Sequence, residues 1–347
     1  MKTYKKLYEK ICSEENIREA YRKARKGKGK TRAVIEFERN LDGELEKLRN
    51  ELISFSYRPR DLRRFVISDP KTRVIHASAF RDRVVHHALI LIIGEIFEKR
   101  FIFDSYASRI GKGTHSAVQR FEKFMRKVSC NGQVLEKGMN ANFVKGYVLK
   151  ADIKHYFQTV DHDVLIGILE RRIKDGKVIW LVQRILENGF SAGKGMPLGN
   201  YTSQFFANVY LNELDYFVKH FLKARYYLRY VDDFVILHKR KRFLEYCLKR
   251  IAQYLLCLKV ELHPDKSKVF SLACGVDLLG YKIFYYYKLV RRRNFMRFYQ
   301  EFLGRRELYL CGEITRNEFL ASLQGWFGYV CWADSYNLLR RVLNQTC

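Results

Sequence analysis

The residues from Leu228 to His238 read LRYVDDFVILH, two short apolar runs meeting at a pair of adjacent carboxylates, Asp232 and Asp233. β-Branched and aromatic residues on both sides of a polar turn predict a tight antiparallel hairpin over 225 to 238, with the two acids at its tip. Adjacent carboxylates repel each other. Such a pair either stands in solvent, where Asp is a common turn residue, or is held by positive charge.

A second acid repeats the pattern. GYVLKADIKHYF predicts an apolar strand running into Asp152. Taken singly, each acid also reads as an ordinary turn residue. Brought together at the ends of neighbouring strands, three carboxylates form an oxygen cage for hard divalent cations that leaves room for substrate phosphates. Two-metal phosphoryl transfer needs that arrangement.

The rest of the chain bounds what such a site serves. At 347 residues, 48% hydrophobic and 15% aromatic, it is long and apolar enough for a folded protein of two or three subdomains. Lys and Arg number 65 against 37 Asp and Glu, a net charge of +28 that calls for a polyanionic partner: nucleic acid first, an anionic membrane surface second. The longest apolar run, ALILIIG from Ala88, falls far short of the roughly 18 residues of a membrane span. The opening MKTYKKLYEKICSEE has no apolar signal core, so a soluble, cytoplasmic chain without membrane contact is expected. A membrane-surface protein would also carry exposed aromatics on a basic helix face, whereas the aromatics here lie in strand-like runs such as YKIFYYY. The eight cysteines are scattered, with no C-x-x-C and no neighbouring His at zinc spacing, and read as reduced thiols. His86 and His87 would point about 100° apart on a helix, which favours packing and hydrogen bonding over a shared metal.

Along the chain, YRKARKGKGKTR (21 to 32) holds seven basic residues, no acid and two glycines, and predicts a flexible basic arm over residues 1–33. One amphipathic helix is expected from AVIEFERNLDGELEKLRNELISF, then a hairpin in YRPRDLRRFVISDPKTRVIHAS with Lys71 and Arg73 near its tip or return strand. AFRDRVVHHALILIIGEIFEKRF predicts a long buried helix, and MPLGNYTSQFF a helix starting near Asn200 or Thr202. A further helix is expected over 241 to 257, a short β element in VDLLGYKIFYYY and a basic helical tail from 291. Strands and helices interleave without strict βαβ order, which predicts an α+β fold.

In this order and at these spacings, ADIKHYF, MPLGNYTSQFFANVYLNELD, YVDDFVIL, HPDKSKV and LLGYKIF resemble the palm motifs of reverse transcriptases. RVIHASAFRDRVVHHAL and SYASRIGKGTHSA resemble the finger motifs of the bacterial, group II intron-like branch. The form LGNYTSQ, where most reverse transcriptases read Q-G-x-x-x-S-P, looks like the enzymes of diversity-generating retroelements. The resemblance covers roughly residues 55 to 300. It implies a right-hand polymerase with fingers (34–150), a palm of antiparallel sheet plus helices (151–285) and a short helical thumb (286–347).

The resemblance also assigns roles. Asp152, Asp232 and Asp233 would hold two Mg²⁺ ions, for which Mn²⁺ could substitute, with the backbone carbonyl of Ile153 as an extra ligand. Phe157 matches the aromatic that closes the sugar pocket against a 2′-hydroxyl; without the family it reads equally as core. Lys71 and Arg73 match basic residues that hold the incoming triphosphate. Lys266 matches a lysine placed to protonate pyrophosphate, with Lys268 as the alternative. GFSAGKGMPLG fails the P-loop spacing, since no Ser or Thr follows Lys194, and reads instead as a nucleotide-binding turn with Gly199 at a close backbone approach. Leu198 and Gln204, where Gln and Pro are usual, together with Arg73 would set misincorporation opposite template adenine. The implied partners are template RNA, the cDNA–RNA duplex, dNTPs and a small basic accessory protein. Retron, phage-defence and group II intron enzymes are rivals, although the NAxxH and VTG signatures of retron enzymes are missing and the chain ends soon after the thumb. A non-catalytic RNA-binding scaffold is the rival of another class, against which all three carboxylates stand.

Overall fold

The computed structural model describes residues 2–68, 72–134, 144–189 and 193–343. Four helices open the chain, α1 (Leu7–Ile11), α2 (Glu14–Arg25), α3 (Arg32–Glu38) and α4 (Leu41–Ile53). They are followed by the antiparallel hairpin β1 (Arg63–Ile67) and β2 (Arg73–Ala77), then helices α5 (Phe80–Glu98) and α6 (Thr114–Val128). Strand β3 (Tyr147–Ala151) leads to α7 (Tyr156–Thr159), α8 (His162–Glu170), α9 (Gly176–Glu187) and α10 (Tyr201–Tyr216). The hairpin β4 (Tyr226–Tyr230) and β5 (Asp233–His238) comes next, then α11 (Lys241–Cys257) and β6 (Lys268–Ser271). A small sheet of β7 (Val276–Leu278), β8 (Tyr281–Ile283) and β9 (Lys288–Val290) precedes α12 (Arg292–Leu310), α13 (Arg316–Val330) and α14 (Tyr336–Leu343).

The central sheet runs β4-β5-β3-β6, antiparallel throughout. Both of its faces are covered, so its strands read as continuous apolar runs rather than alternating ones. Leu149, Ala151, Tyr227, Phe234 and Ile236 join the large core with α8, α10 and α11, while Val148, Leu228, Val235 and Leu237 meet α6 and the β7–β9 sheet. Helix α6 presents Ala117, Val118, Phe121, Phe124, Met125 and Val128 to this second core at helical spacing, leaving its charged face outward. A third, smaller core of Phe298, Phe302, Phe319, Leu323 and Val342 binds the C-terminal helices together. This is the expected α+β architecture.

Several expectations are corrected. Residues 21–25 of the predicted arm belong to α2, whose N-cap Ser13 accepts from Asn16 N and which buries Ile17, Ala20, Tyr21 and Ala24. Tyr21 makes an edge contact with Phe80 of α5, so burial of one face overrides the basic composition of the other. The single amphipathic helix is two, α3 and α4, divided at Arg39 and Asn40, with Asn40 at φ −137°. Strand β3 starts at Tyr147, as the run into Asp152 predicts, and β9 ends at Val290. Among the described residues no helix is long and apolar enough to cross a membrane, and the described cysteines are free.

Candidate active site

Two strands and a turn bring the acids together. The pairs Ala151↔Phe234 and Tyr230↔Asp233 put the end of β3 beside the start of β5, so Asp152 meets the turn that carries Asp232. All three carboxylates line one cavity of about 690 Å³. Burial, then the neighbouring charge of Asp152, then that of Asp233, pushes the Asp232 carboxyl up to about 7. Three acids this close demand a cation, and the Lys266 ammonium contacts Asp152 in that role. Lys268, the first residue of β6, pairs with Lys150 of β3 and does not line the cavity, so Lys266 is the lysine at the site.

The backbone around Asp152 is fixed from one side. His263 N donates to the Asp152 carbonyl at 2.7 Å and Lys154 N to the Glu261 carbonyl at 2.8 Å, bracketing an antiparallel bridge between Ile153 and Leu262. In such a wide pair the residue's own carbonyl points away from its partner, so that of Ile153 faces the side where β5 and its hairpin lie. The oxygen donors suit a hard divalent ion in kind. Among the described residues no group of three or more His, Cys, Asp or Glu side chains, these three aspartates included, is placed so that it could hold a metal ion.

The opposite wall comes from the β1–β2 hairpin. Arg64, Arg73, Val74 and His76 line the cavity, and the register Arg64↔His76 and Val66↔Val74 places Arg64, His76 and Val74 on one face. Arg64 was missed in the sequence because it is one of several arginines in RPRDLRR; only its alternation with Phe65 marks it. Arg73 opens the return strand as expected, while Lys71 lies outside the described residues.

The loop before α10 forms the floor. Met196 N donates to the Phe157 carbonyl (2.6 Å), Gly195 N to the Val160 carbonyl (2.7 Å) and His162 N to the Gly193 carbonyl (2.9 Å), which zips 193–196 onto 157–162. Phe157 lines the cavity half-buried, edge-on to Tyr156, whose hydroxyl donates to the Ala207 carbonyl. Leu198 also lines it, and its carbonyl accepts from His76 N at 2.9 Å, while the Asn200 side chain accepts from Ser78 N at 3.1 Å. Gly199 sits between them at φ +111°, where an added Cβ would lie 2.7 Å from Ile75 Cγ2. The close approach that it permits is therefore with the finger strand β2. Gln204 is outside the cavity: it is exposed and its Oε1 accepts from Ser108 Oγ at 3.1 Å.

A buried ion pair under the hairpin escaped the sequence reading. Arg229 is fully buried and donates through Nε and Nη2 to the two Asp215 oxygens, both at 2.7 Å, and through Nη1 to Asn208 Oδ1 at 3.1 Å. The same Nη1 reaches the Val231 carbonyl at 3.0 Å, and Tyr227 OH donates to Asp215 at 2.6 Å. This network holds the turn that presents Asp232.

A helix-backed antiparallel sheet with carboxylates at its rim, faced by a basic hairpin across a cavity of nucleotide size, is the palm and fingers of a template-copying polymerase. The model of the family Reverse transcriptase (RNA-dependent DNA polymerase) matches residues 68–283, and the chain belongs to that family. It is an RNA-directed DNA polymerase by membership. Protein YkfC of Escherichia coli (strain K12) is 28% identical over 293 residues, 72% of either chain. The group II intron-encoded protein LtrA of Lactococcus lactis subsp. cremoris is 26% identical over 245 residues, 66% of this chain but 38% of LtrA's length. Among solved structures, telomerase from Candida albicans in complex with a fragment of telomeric RNA aligns with a TM-score of 0.49 at 12% identity, over 68% of this chain and 46% of that one.

Proposed function

We propose that the chain extends a primer on an RNA template by nucleotidyl transfer, with two Mg²⁺ ions held by Asp152, Asp232, Asp233 and the Ile153 carbonyl. The convergence of the three carboxylates on one cavity, with Lys266 as their present counter-charge, carries this reading. When bound, the ions lower the pKa of the attacking hydroxyl and neutralise charge on the leaving group. The primer 3′-hydroxyl gives up its proton to solvent as its oxygen forms the new bond to the α-phosphorus and the bond to pyrophosphate breaks. Arg64 and Arg73 hold the triphosphate by charge-assisted hydrogen bonds. Phe157 fills the space beside C2′. Lys266, released from Asp152, donates a proton to pyrophosphate. The double variant Asp232→Asn with Asp233→Asn should abolish cDNA synthesis and leave RNA binding within about threefold, that is, less than 1 kcal/mol. Primer extension and filter binding check the two halves, and wild-type cDNA yield would refute the mechanism.

We further infer that the enzyme serves a diversity-generating retroelement, with template RNA, the cDNA–RNA duplex, dNTPs and a small basic accessory protein as partners. The LGNYTSQ form supports this reading. With Leu198 on the cavity wall and Gln204 outside it, Leu198 and Arg73 are the direct determinants of pairing, and Gln204 acts only through the Ser108 loop. Leu198 offers shape without a hydrogen bond, and one such bond is worth about 1 kcal/mol. Sequencing cDNA copied from a defined RNA, with the accessory protein present, should show errors concentrated at template adenine. Leu198→Gln should reduce them about fivefold, the factor that about 1 kcal/mol confers. Equal error frequencies at all four bases would instead favour the group II intron-like reading.

A further inference from the structure

The palm sheet has a second charged end. Strand β4 begins at Tyr226 and reaches the catalytic hairpin at Tyr230, about 13 Å further on at roughly 3.3 Å per residue. Around its beginning lies a cavity of about 420 Å³ lined in part by the buried Phe124 and by Tyr226, with Arg120 over the Phe124 ring at 4.7 Å and Arg225 over that of Tyr226 at 5.6 Å. Lys123, Arg126 and Lys127 line it from α6, where residues three and four apart share a face, and Arg225 lines it from the strand side. Among the described residues no carboxylate lines this cavity. The acid beside it, Asp104, is buried and already paired with both Arg120 at 2.7 Å and Lys219 at 3.3 Å.

Chemistry at the carboxylate rim gives these four cations no role, because they stand at the other end of the sheet. We propose that this basic cavity binds RNA outside the copied stretch, with its phosphates on Lys123, Arg126, Lys127 and Arg225. Clustered cations with no ion pair among the described residues match a polyanion, and RNA is the polyanion that the net charge of +28 and the RNA-copying reading both favour over an acidic polypeptide. The inference rests on the RNA-copying reading, because the same RNA molecule would then be held at two points, and the second attachment is intramolecular.

The test uses the full chain and the variant Lys123→Glu, Arg126→Glu, Lys127→Glu, all on the exposed face of α6. The probes are a long structured RNA and a short primer–template that carries no RNA flank outside the copied stretch. Affinity of the variant for the long RNA should fall at least tenfold. The slope of log affinity against log salt should lose about 0.7–0.9 for each phosphate contact removed. Extension of the short primer–template should be unchanged. Unchanged affinity and slope would overturn the proposal, as would a parallel loss of short-template extension, which would assign the cations to the cleft. Displacement of the long RNA by poly-glutamate from wild type would overturn it in favour of an acidic protein partner. Absence of extension by wild type would refute the catalytic reading alone, since the binding measurements need no catalysis.

Discussion

Val231 carries a β-branched side chain at φ 55°, a left-handed conformation that costs on the order of 1–3 kcal/mol unless its surroundings impose it. Arg229 does the imposing, through its bond to the Val231 carbonyl and its fork on Asp215. Asp215→Ala would leave a buried guanidinium unpaired, a loss of about 3–5 kcal/mol. Its urea midpoint should drop accordingly, and the folded fraction should extend primers more slowly because the turn carrying Asp232 is no longer held. A mutant with wild-type turnover would show that the turn keeps its shape unaided. For Phe157→Ala, the expected outcome is a fall of tenfold or more in the ratio of dNTP to rNTP incorporation, equivalent to about 1.4 kcal/mol of lost discrimination. An unchanged ratio with lowered stability would make Phe157 part of the core. The three aspartates were legible because each interrupts an apolar run. Arg229, Asp215 and Arg64 were not, because an isolated Arg or Asp reads as a solvated charge until the fold shows what faces it.

Helix α5 shows what element-level reading can and cannot supply. Its length and burial followed from an apolar composition all round, and the pair His86 and His87 was expected to pack and hydrogen-bond. His87 does stack on Tyr201, at 4.6 Å, whereas His86 Nδ1 is buried without a hydrogen-bond partner among the described residues. Burial, with smaller contributions from His87 and Arg83, lowers the His86 imidazole to about 3; burial, with Lys28 and Lys23, lowers His87 to about 4. Both are held neutral in the fold and protonate near 6.5 when unfolded. Their contribution is therefore complete above pH 6.5 and is lost as pH falls towards the folded values. Between pH 7 and 5 the buried His86 costs about 1–2 kcal/mol and the half-buried His87, screened by solvent, less, and His86→Leu should flatten the fall in urea midpoint over that window. An equally steep fall would place the acid sensitivity elsewhere. The basic stretch at 21–32 was misread for the complementary reason. Its charges were visible, but the buried face of α2 exists only once α5 is there to cover it.

For the whole molecule, fold class and the meeting of the three carboxylates were legible together because Asp152 directly follows β3 and Asp232 and Asp233 stand at the turn into β5. The charge was legible as a total but not as a distribution: the chain holds cations around the carboxylate cavity and again at the far end of β4. The sheet order has a consequence for the chain's birth. Strand β3 lies between β5 and β6, both made later, and Asp152 is eighty residues ahead of Asp232. At roughly 5–20 residues per second a ribosome needs about 4–16 s to cover that distance. Throughout that interval the nascent strand that ends in Asp152 has neither of its neighbours, and its apolar edges are open to chaperones and to other nascent chains.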